Sequence, residues 1–135
     1  MQLVYVDRDT YRNKTEVSFL DELHERYGDF FLLPEGGSNQ LALKGCAEIL
    51  TDITGSFDVI TVACGTGATL AGMITGLTGD QRAIGFAVLK RAGFLVSDVQ
   101  NMLAEARLSV PANWHIELDY HFGGYGKAST AVSYT

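Results

Sequence analysis

The residues best suited to chemistry in this chain lie in glycine-rich turns. Cys64-Gly65-Thr66-Gly67-Ala68-Thr69 follows the run Val59-Ile60-Thr61-Val62-Ala63 and leads into a helical pattern marked by Thr69, Leu70, Met73, Ile74 and Leu77. Glycines permit a tight turn, and the first backbone N–H groups of a helix lack intrahelical partners. The helix dipole adds about half a positive charge at that end. Such a turn is a cup for an anion, and a phosphate fits it without a lysine. The dinucleotide fingerprint fails, because Leu70 stands where its third glycine belongs. The P-loop fails too, because Met73 replaces the lysine after Gly72. Taken alone, these residues also suit a plain strand-to-helix turn, and that reading stays open.

Two further glycine turns bear on the first. Pro34-Glu35-Gly36-Gly37-Ser38-Asn39 follows an apolar run and opens a helical pattern. Asp119-Tyr120-His121-Phe122-Gly123-Gly124-Tyr125-Gly126 follows the last apolar run. In a parallel sheet all three turns lie at the carboxyl ends of the strands, where ligands of open α/β sheets bind.

The elements that must position these turns follow from hydrophobic periodicity. Short β-branched or aromatic runs at residues 3–6, 30–33, 59–63, 84–89 and 114–118 read as strands. Between them, apolar faces at helical spacing read as helices: Val17, Leu20, Leu23, His24 and Tyr27; Leu43, Ala47 and Leu50; Thr69 to Leu77; and Val99, Met102, Leu103 and Ala106. Ser97-Asp98-Val99-Gln100 has the form of a capping box at the start of the fourth helix. Strands alternating with helices predict an α/β fold. The expected form is a three-layer sandwich with a mainly parallel, Rossmann-like sheet covered on both faces, built as one domain.

Composition narrows the classes of function. The chain has 135 residues, 47% hydrophobic and 19% charged, with a net charge of -6, which disfavours nucleic acid and acidic membrane surfaces. It contains no apolar run long enough to span a bilayer, and its start lacks the pattern of a signal peptide, so a cytoplasmic location is expected. Cys46 and Cys64 lack metal-ligand spacing and are expected to be reduced, buried thiols. No metal constellation emerges. His24 and His115 read as packing residues, and Glu16, Asp21, Glu22 and Glu25 with Arg26 as a solvated face with local ion pairs.

At its most specific stretches the sequence resembles the 1-aminocyclopropane-1-carboxylate deaminase and D-cysteine desulfhydrase family of pyridoxal-phosphate enzymes, whose fold is shared with the tryptophan synthase β subunit. Those stretches are Leu33-Pro34-Glu35-Gly36-Gly37-Ser38-Asn39, Ala63-Cys64-Gly65-Thr66-Gly67-Ala68-Thr69-Leu70-Ala71-Gly72-Met73, and His121-Phe122-Gly123-Gly124-Tyr125-Gly126. The resemblance covers residues 3–127 and corresponds to much of the family's large domain, leaving 128–135 as a divergent tail. It implies that Gly65, Thr66, Gly67, Ala68 and Thr69 hold the cofactor phosphate. It also implies that Ser38 and Tyr125, with Asn39 as a weaker candidate, line the substrate side of the ring.

Family members are more than twice as long, and the lysine that forms their Schiff base lies in an amino-terminal region with no counterpart in this sequence. Lys14, Lys44, Lys90 and Lys127 match no such motif and read as surface residues, Lys127 near Tyr125 being the one of interest. The implied outcome is weak, non-covalent pyridoxal phosphate binding at most, with no catalytic residue and no activity in the isolated chain. The expected alternatives are a truncated remnant, a subunit whose missing half comes from a separate chain, or a repurposed small-ligand-binding module that pairs as a homodimer. Independently of family, Cys64 at a helix start with His121 on the same edge suggests a nucleophile, against the plainer reading of a small buried thiol.

Overall fold

The computed structural model describes residues 3–107 and 112–124. Contacts divide the chain into two compact units, Met1–Leu32 and Leu33–Thr135. The first unit contains α1 (Arg8–Arg12) and α2 (Val17–Tyr27). Helix α1 starts at Asp7, whose Oδ1 accepts from the backbone N–H groups of Asp9 and Thr10 at 2.9 Å each, while Oδ2 accepts from the Thr10 hydroxyl at 2.8 Å. Those bonds, led by the one from the Thr10 backbone, hold the Asp7 carboxyl below its ordinary value. His24 of α2 stacks on Phe30, ring centroids 4.4 Å apart. Arg26 lies over the Tyr27 ring.

Residues 3–6 and 30–33, expected as strands, join no ladder. Tyr5 is 87% exposed and Leu33 70%. β-propensity is largely packing against cross-strand neighbours, and apolar, β-branched residues without such neighbours do not make a strand.

The second unit begins with a 3₁₀ turn (Glu35–Gly37) and α3 (Gln40–Asp52). It continues through β1 (Val59–Cys64), α4 (Ala68–Gly76), β2 (Arg82–Ala87), α5 (Phe94–Glu105) and β3 (Trp114–Glu117). The three strands form a parallel sheet in the order β1-β2-β3, with Val62 opposite Gly85 and Gly85 opposite Ile116. This is the expected α/β architecture. Successive right-handed crossovers in that order put α4 and α5 on the same face. Ile60, Val62, Cys64, Ala83, Ala87, Trp114 and Ile116 belong to the core on that face. At Gly85 a Cβ would stand 2.7 Å from both Cys64 Sγ and Leu70 Cδ2, so only glycine lets α4 lie this close to the central strand. The opposite face carries Thr61, Ala63, Ile84, Phe86, His115 and Glu117, all exposed or half-buried. The second covering layer expected from the sequence is not among the described residues of this unit.

Helix α4 is buried almost all round because α3 covers the side turned away from the sheet. Gly72 and Gly76, four residues apart, make this approach close. Added Cβ atoms would stand 2.7 Å from the Leu43 carbonyl oxygen and 2.9 Å from that of Ala47. Leu70, Ile74, Leu95, Val99 and Leu103 are sealed from solvent between helices and sheet. Burying each such side chain contributes on the order of 1.5–3 kcal/mol. Helix α5 begins at Phe94, a turn earlier than the capping box predicts. Its N-cap is Gly93, and the Ser97 hydroxyl donates to the Phe94 carbonyl inside the helix at 2.7 Å. The earlier start places fully buried Leu95 on the core face, and that packing outweighs a local cap.

Candidate functional site

The end of β1 and the start of α4 define the site. Cys64 closes the strand, Gly65 and Thr66 make the turn, and Gly67 is the N-cap of α4 at φ 81°, ψ -7°. That left-handed conformation is open to glycine at little cost. Glycine also supplies no capping side chain, so the first-turn amides of α4 have no side-chain partner from their N-cap. An anion is the natural complement of such a helix start.

Packing separates the two glycines of the turn. A Cβ at Gly67 would stand 2.8 Å from Val99 Cγ2 and 3.7 Å from Met102 Cε, so α5 lies directly against the N-cap. A Cβ at Gly65 would meet nothing within 4 Å. The open side of the turn is therefore at Gly65, and there a cavity of about 480 Å³ begins. Glu35, Ser38, Gly65 and Thr66 line it, with Leu89 and Phe94. Asp98, Asn101, Met102 and Glu105 of α5 also line it.

The turn at residues 34–39 meets the turn at 64–67 directly. The Ser38 hydroxyl donates to Thr66 Oγ1 at 3.0 Å. At Gly36, φ 67°, a Cβ would stand 2.6 Å from Thr66 Cγ2. Two turns separated in sequence are thus brought together as expected, although no strand precedes the first.

No family model matches the chain. Whole-protein comparison does find relatives. A Pyrococcus horikoshii protein named "Putative 1-aminocyclopropane-1-carboxylate deaminase" is 33% identical over 141 aligned positions, covering 96% of this chain and 43% of that protein. A Pyrococcus furiosus protein of the same name is 32% identical over 147 positions, covering 98% and 45%. The crystal structure of an ACC deaminase homologue superposes with a TM-score of 0.71 at 30% identity, over 93% of this chain and 42% of that one. The chain belongs to the 1-aminocyclopropane-1-carboxylate deaminase family. It spans less than half the length of the curated relatives it matches.

As a deaminase-family chain, it keeps some expected site residues together and sets others apart. Gly65, Thr66 and Ser38 line the cavity, whereas Gly67 and Ala68 are buried behind it and Thr69 is exposed on α4. Asn39 does not line the cavity. It is the N-cap of α3, and its Oδ1 accepts from the Ala42 N–H at 2.9 Å. Tyr125 and Lys127 lie outside the described residues, as does the tail at 128–135. The turn after β3 packs Tyr120 edge-on against Phe86, centroids 5.6 Å apart, and its described residues do not line this cavity.

The nucleophile reading of Cys64 is overturned. Its side chain is 2% exposed, its thiol donates to the Val62 carbonyl at 3.7 Å, and burial pushes its pKa up to about 11. A thiolate is disfavoured there. Both cysteines are free, with Cys64 buried and Cys46 half-buried, as the plainer reading expects. His121 is engaged locally, its Nδ1 accepting from the Gly123 N–H at 3.0 Å. His115, expected to pack, instead faces Glu117 at 3.1 Å on the open side of the sheet. Among the described residues no group of three or more His, Cys, Asp or Glu could hold a metal ion. No described helix is long and apolar enough to cross a membrane.

Sequence reasoning missed the wall supplied by α5. Asp98, Asn101, Met102 and Glu105 stand at i, i+3, i+4 and i+7, one stripe of the helix. The spacing was visible, but assigning Asp98 to a cap and Met102 to the core concealed it.

Proposed function

We propose that this family member binds the phosphate of pyridoxal phosphate non-covalently at residues 65–69 and performs no deaminase chemistry by itself. The family works with pyridoxal phosphate. The observation that carries the reading is the start of α4, which lacks a side-chain cap and opens at Gly65 onto a cavity with room for a ligand. Gly65 and Thr66 would present the phosphate donors, Gly67, Ala68 and Thr69 would extend them along the first turn, and Ser38 would hold Thr66 in place. The bound cofactor would supply an electron-withdrawing ring.

Inactivity is supported by the lysines. Among the described residues no lysine lines the cavity, and Lys127 lies outside them. The covalent step of the family would need a lysine beyond the described ones, in a further segment of the same protein or in a separate chain.

The test is calorimetric titration with pyridoxal phosphate, pyridoxal and inorganic phosphate, repeated with Gly65→Leu. Gly65 is preferable to Gly67 for this purpose, because a side chain at Gly67 would strike Val99 and disturb the fold. Binding that requires the phosphate and disappears in the variant is the expected result. Absence of any phosphate-dependent binding would remove the reading. Release of pyruvate or 2-oxobutanoate above a protein-free control would overturn the inactivity.

A second reading, self-association as a homodimer, is favoured by the open sheet face, where half-buried Ile84 and Phe86 adjoin the exposed rings of Tyr120 and Phe122. Light scattering across a concentration series tests it, and a monomer throughout would sink it.

A further inference from the structure

We propose that a second copy of this chain covers the open sheet face in an antiparallel two-fold arrangement, with Arg82 of each copy against Glu117 of the other. This inference rests on the self-association reading and specifies how the two copies meet.

The strand register orders the open face in three rows. Val59 stands beside Arg82 in the first, Thr61 beside Ile84 and His115 in the second, and Ala63 beside Phe86 and Glu117 in the third. These side chains share one face because those alternating with them, among them Ile60, Val62, Ala83, Trp114 and Ile116, belong to the core on the other. The cationic residue is therefore in the first row, the carboxylate in the third, and Ile84 in the middle. Tyr120 packs against Phe86 beyond the third row and extends the apolar surface at that end. Parallel sheets are usually covered on both faces, and exposed Val59 with half-buried Ile84 and Phe86 gives this one apolar surface to bury.

Two identical faces with aligned strands can stack about a two-fold axis in two ways. With the axis along the strands, the first row of one copy lies on the first row of the other, and the two Arg82 side chains meet. With the axis across the strands, the row order reverses. Ile84 then lies on its counterpart, and Arg82 reaches the level of Phe86 and Glu117 of the other copy, one strand from the carboxylate. The first arrangement concentrates like charge. The second pairs opposite charges twice by symmetry and sets each guanidinium near an aromatic ring. His115 Nε2 already lies 3.1 Å from Glu117 Oε1, and a carboxylate has room on its two oxygens for a second donor. A face three strands wide is at the low end of interface size, so the dimer should be weak and concentration-dependent.

The test is sedimentation velocity across a concentration series for the wild type, Arg82→Glu, Glu117→Arg, and an equimolar mixture of the two variants. Each reversal alone should weaken the dimer roughly tenfold, because two symmetric ion pairs become repulsive. The mixture should restore association to the wild-type level, since in the heterodimer each reversed charge meets its opposite. Added sodium chloride should weaken the wild-type dimer more than that of Arg82→Gln, a comparison that decides the matter if a reversal variant fails to fold. Circular dichroism melts verify the fold of each variant. Reversal variants that dimerise like the wild type, a mixture no tighter than its components, or an equal response of wild type and Arg82→Gln to salt overturns this inference while leaving self-association intact. A wild type that is monomeric at every concentration overturns self-association and this inference together, and the face then belongs to a different chain.

Discussion

The Ser38 hydroxyl donates to Thr66 Oγ1 at 3.0 Å, tying two turns that lie 28 residues apart. Because Thr66 borders both the cavity and Gly36, this bond positions the turn that leads into α4.

Ser38→Ala should cost about 0.5–1.5 kcal/mol of stability, the net worth of one such bond. It should also weaken phosphate binding while Ser38→Thr retains it. Urea unfolding and calorimetry on the same preparations check both parts. A variant that loses stability without losing affinity would limit Ser38 to a scaffold role.

Two glycine substitutions should move stability in opposite directions. Gly72→Ala drives a methyl into the Leu43 carbonyl and the Cys46 side chain and should destabilise by about 1–3 kcal/mol. Gly45 lies within α3 with nothing within 4 Å of an added Cβ. Gly45→Ala should stabilise by about 0.5–1 kcal/mol, through helix propensity and a less flexible unfolded chain. Chemical denaturation of the pair checks the sign of each.

The buried Cys64 thiol gives stability a pH dependence. Burial raises its pKa from 9.0 to about 11, so the neutral form is favoured by folding. The contribution is complete below the unfolded value and is lost as pH rises through the folded one, because the unfolded thiol ionises first. The urea midpoint should fall between pH 9 and about 11, and Cys64→Ala should flatten that limb. Iodoacetamide should label Cys46 well before Cys64 under native conditions.

Asp7 acts in the opposite direction. Its carboxyl lies below 3.8, held down by bonds from Thr10 and Asp9, so the cap of α1 is present above the unfolded value and lost as pH falls through the folded one. Asp7→Asn should keep much of the cap and Asp7→Ala should release α1. Amide chemical shifts of residues 8–12, followed from pH 7 to pH 2, check both.

Much of this molecule is legible without coordinates. The run 59–63 is nearly all apolar, lies before a glycine turn and becomes β1. The 3.6-residue spacing of Leu43, Ala47 and Leu50, and that of Leu70, Met73, Ile74 and Leu77, marks α3 and α4. Periodicity and turn chemistry are local, so local sequence reveals them. Residues 3–6 and 30–33 have the same composition as true strands and are not strands, because a strand exists only with a neighbour to pair with. The start of α5 was misplaced for a related reason: a cap motif is local, but the burial of Leu95 that extends the helix is not.

The sequence by itself determined the α/β class, the glycine turn at 64–69 and the family, since each depends on residue types at fixed short spacings. Tertiary structure decided which glycine of the turn is open. Gly65 and Gly67 look alike in sequence, and only the packing of Val99 and Met102 against one of them turns the other toward the cavity. Tertiary structure likewise placed Asp98 and Glu105 in the lining of the cavity that the turn borders. Helix α5 lies about 30 residues further along the chain, and only the parallel crossover that returns it to the same face of the sheet brings its carboxylates to the site.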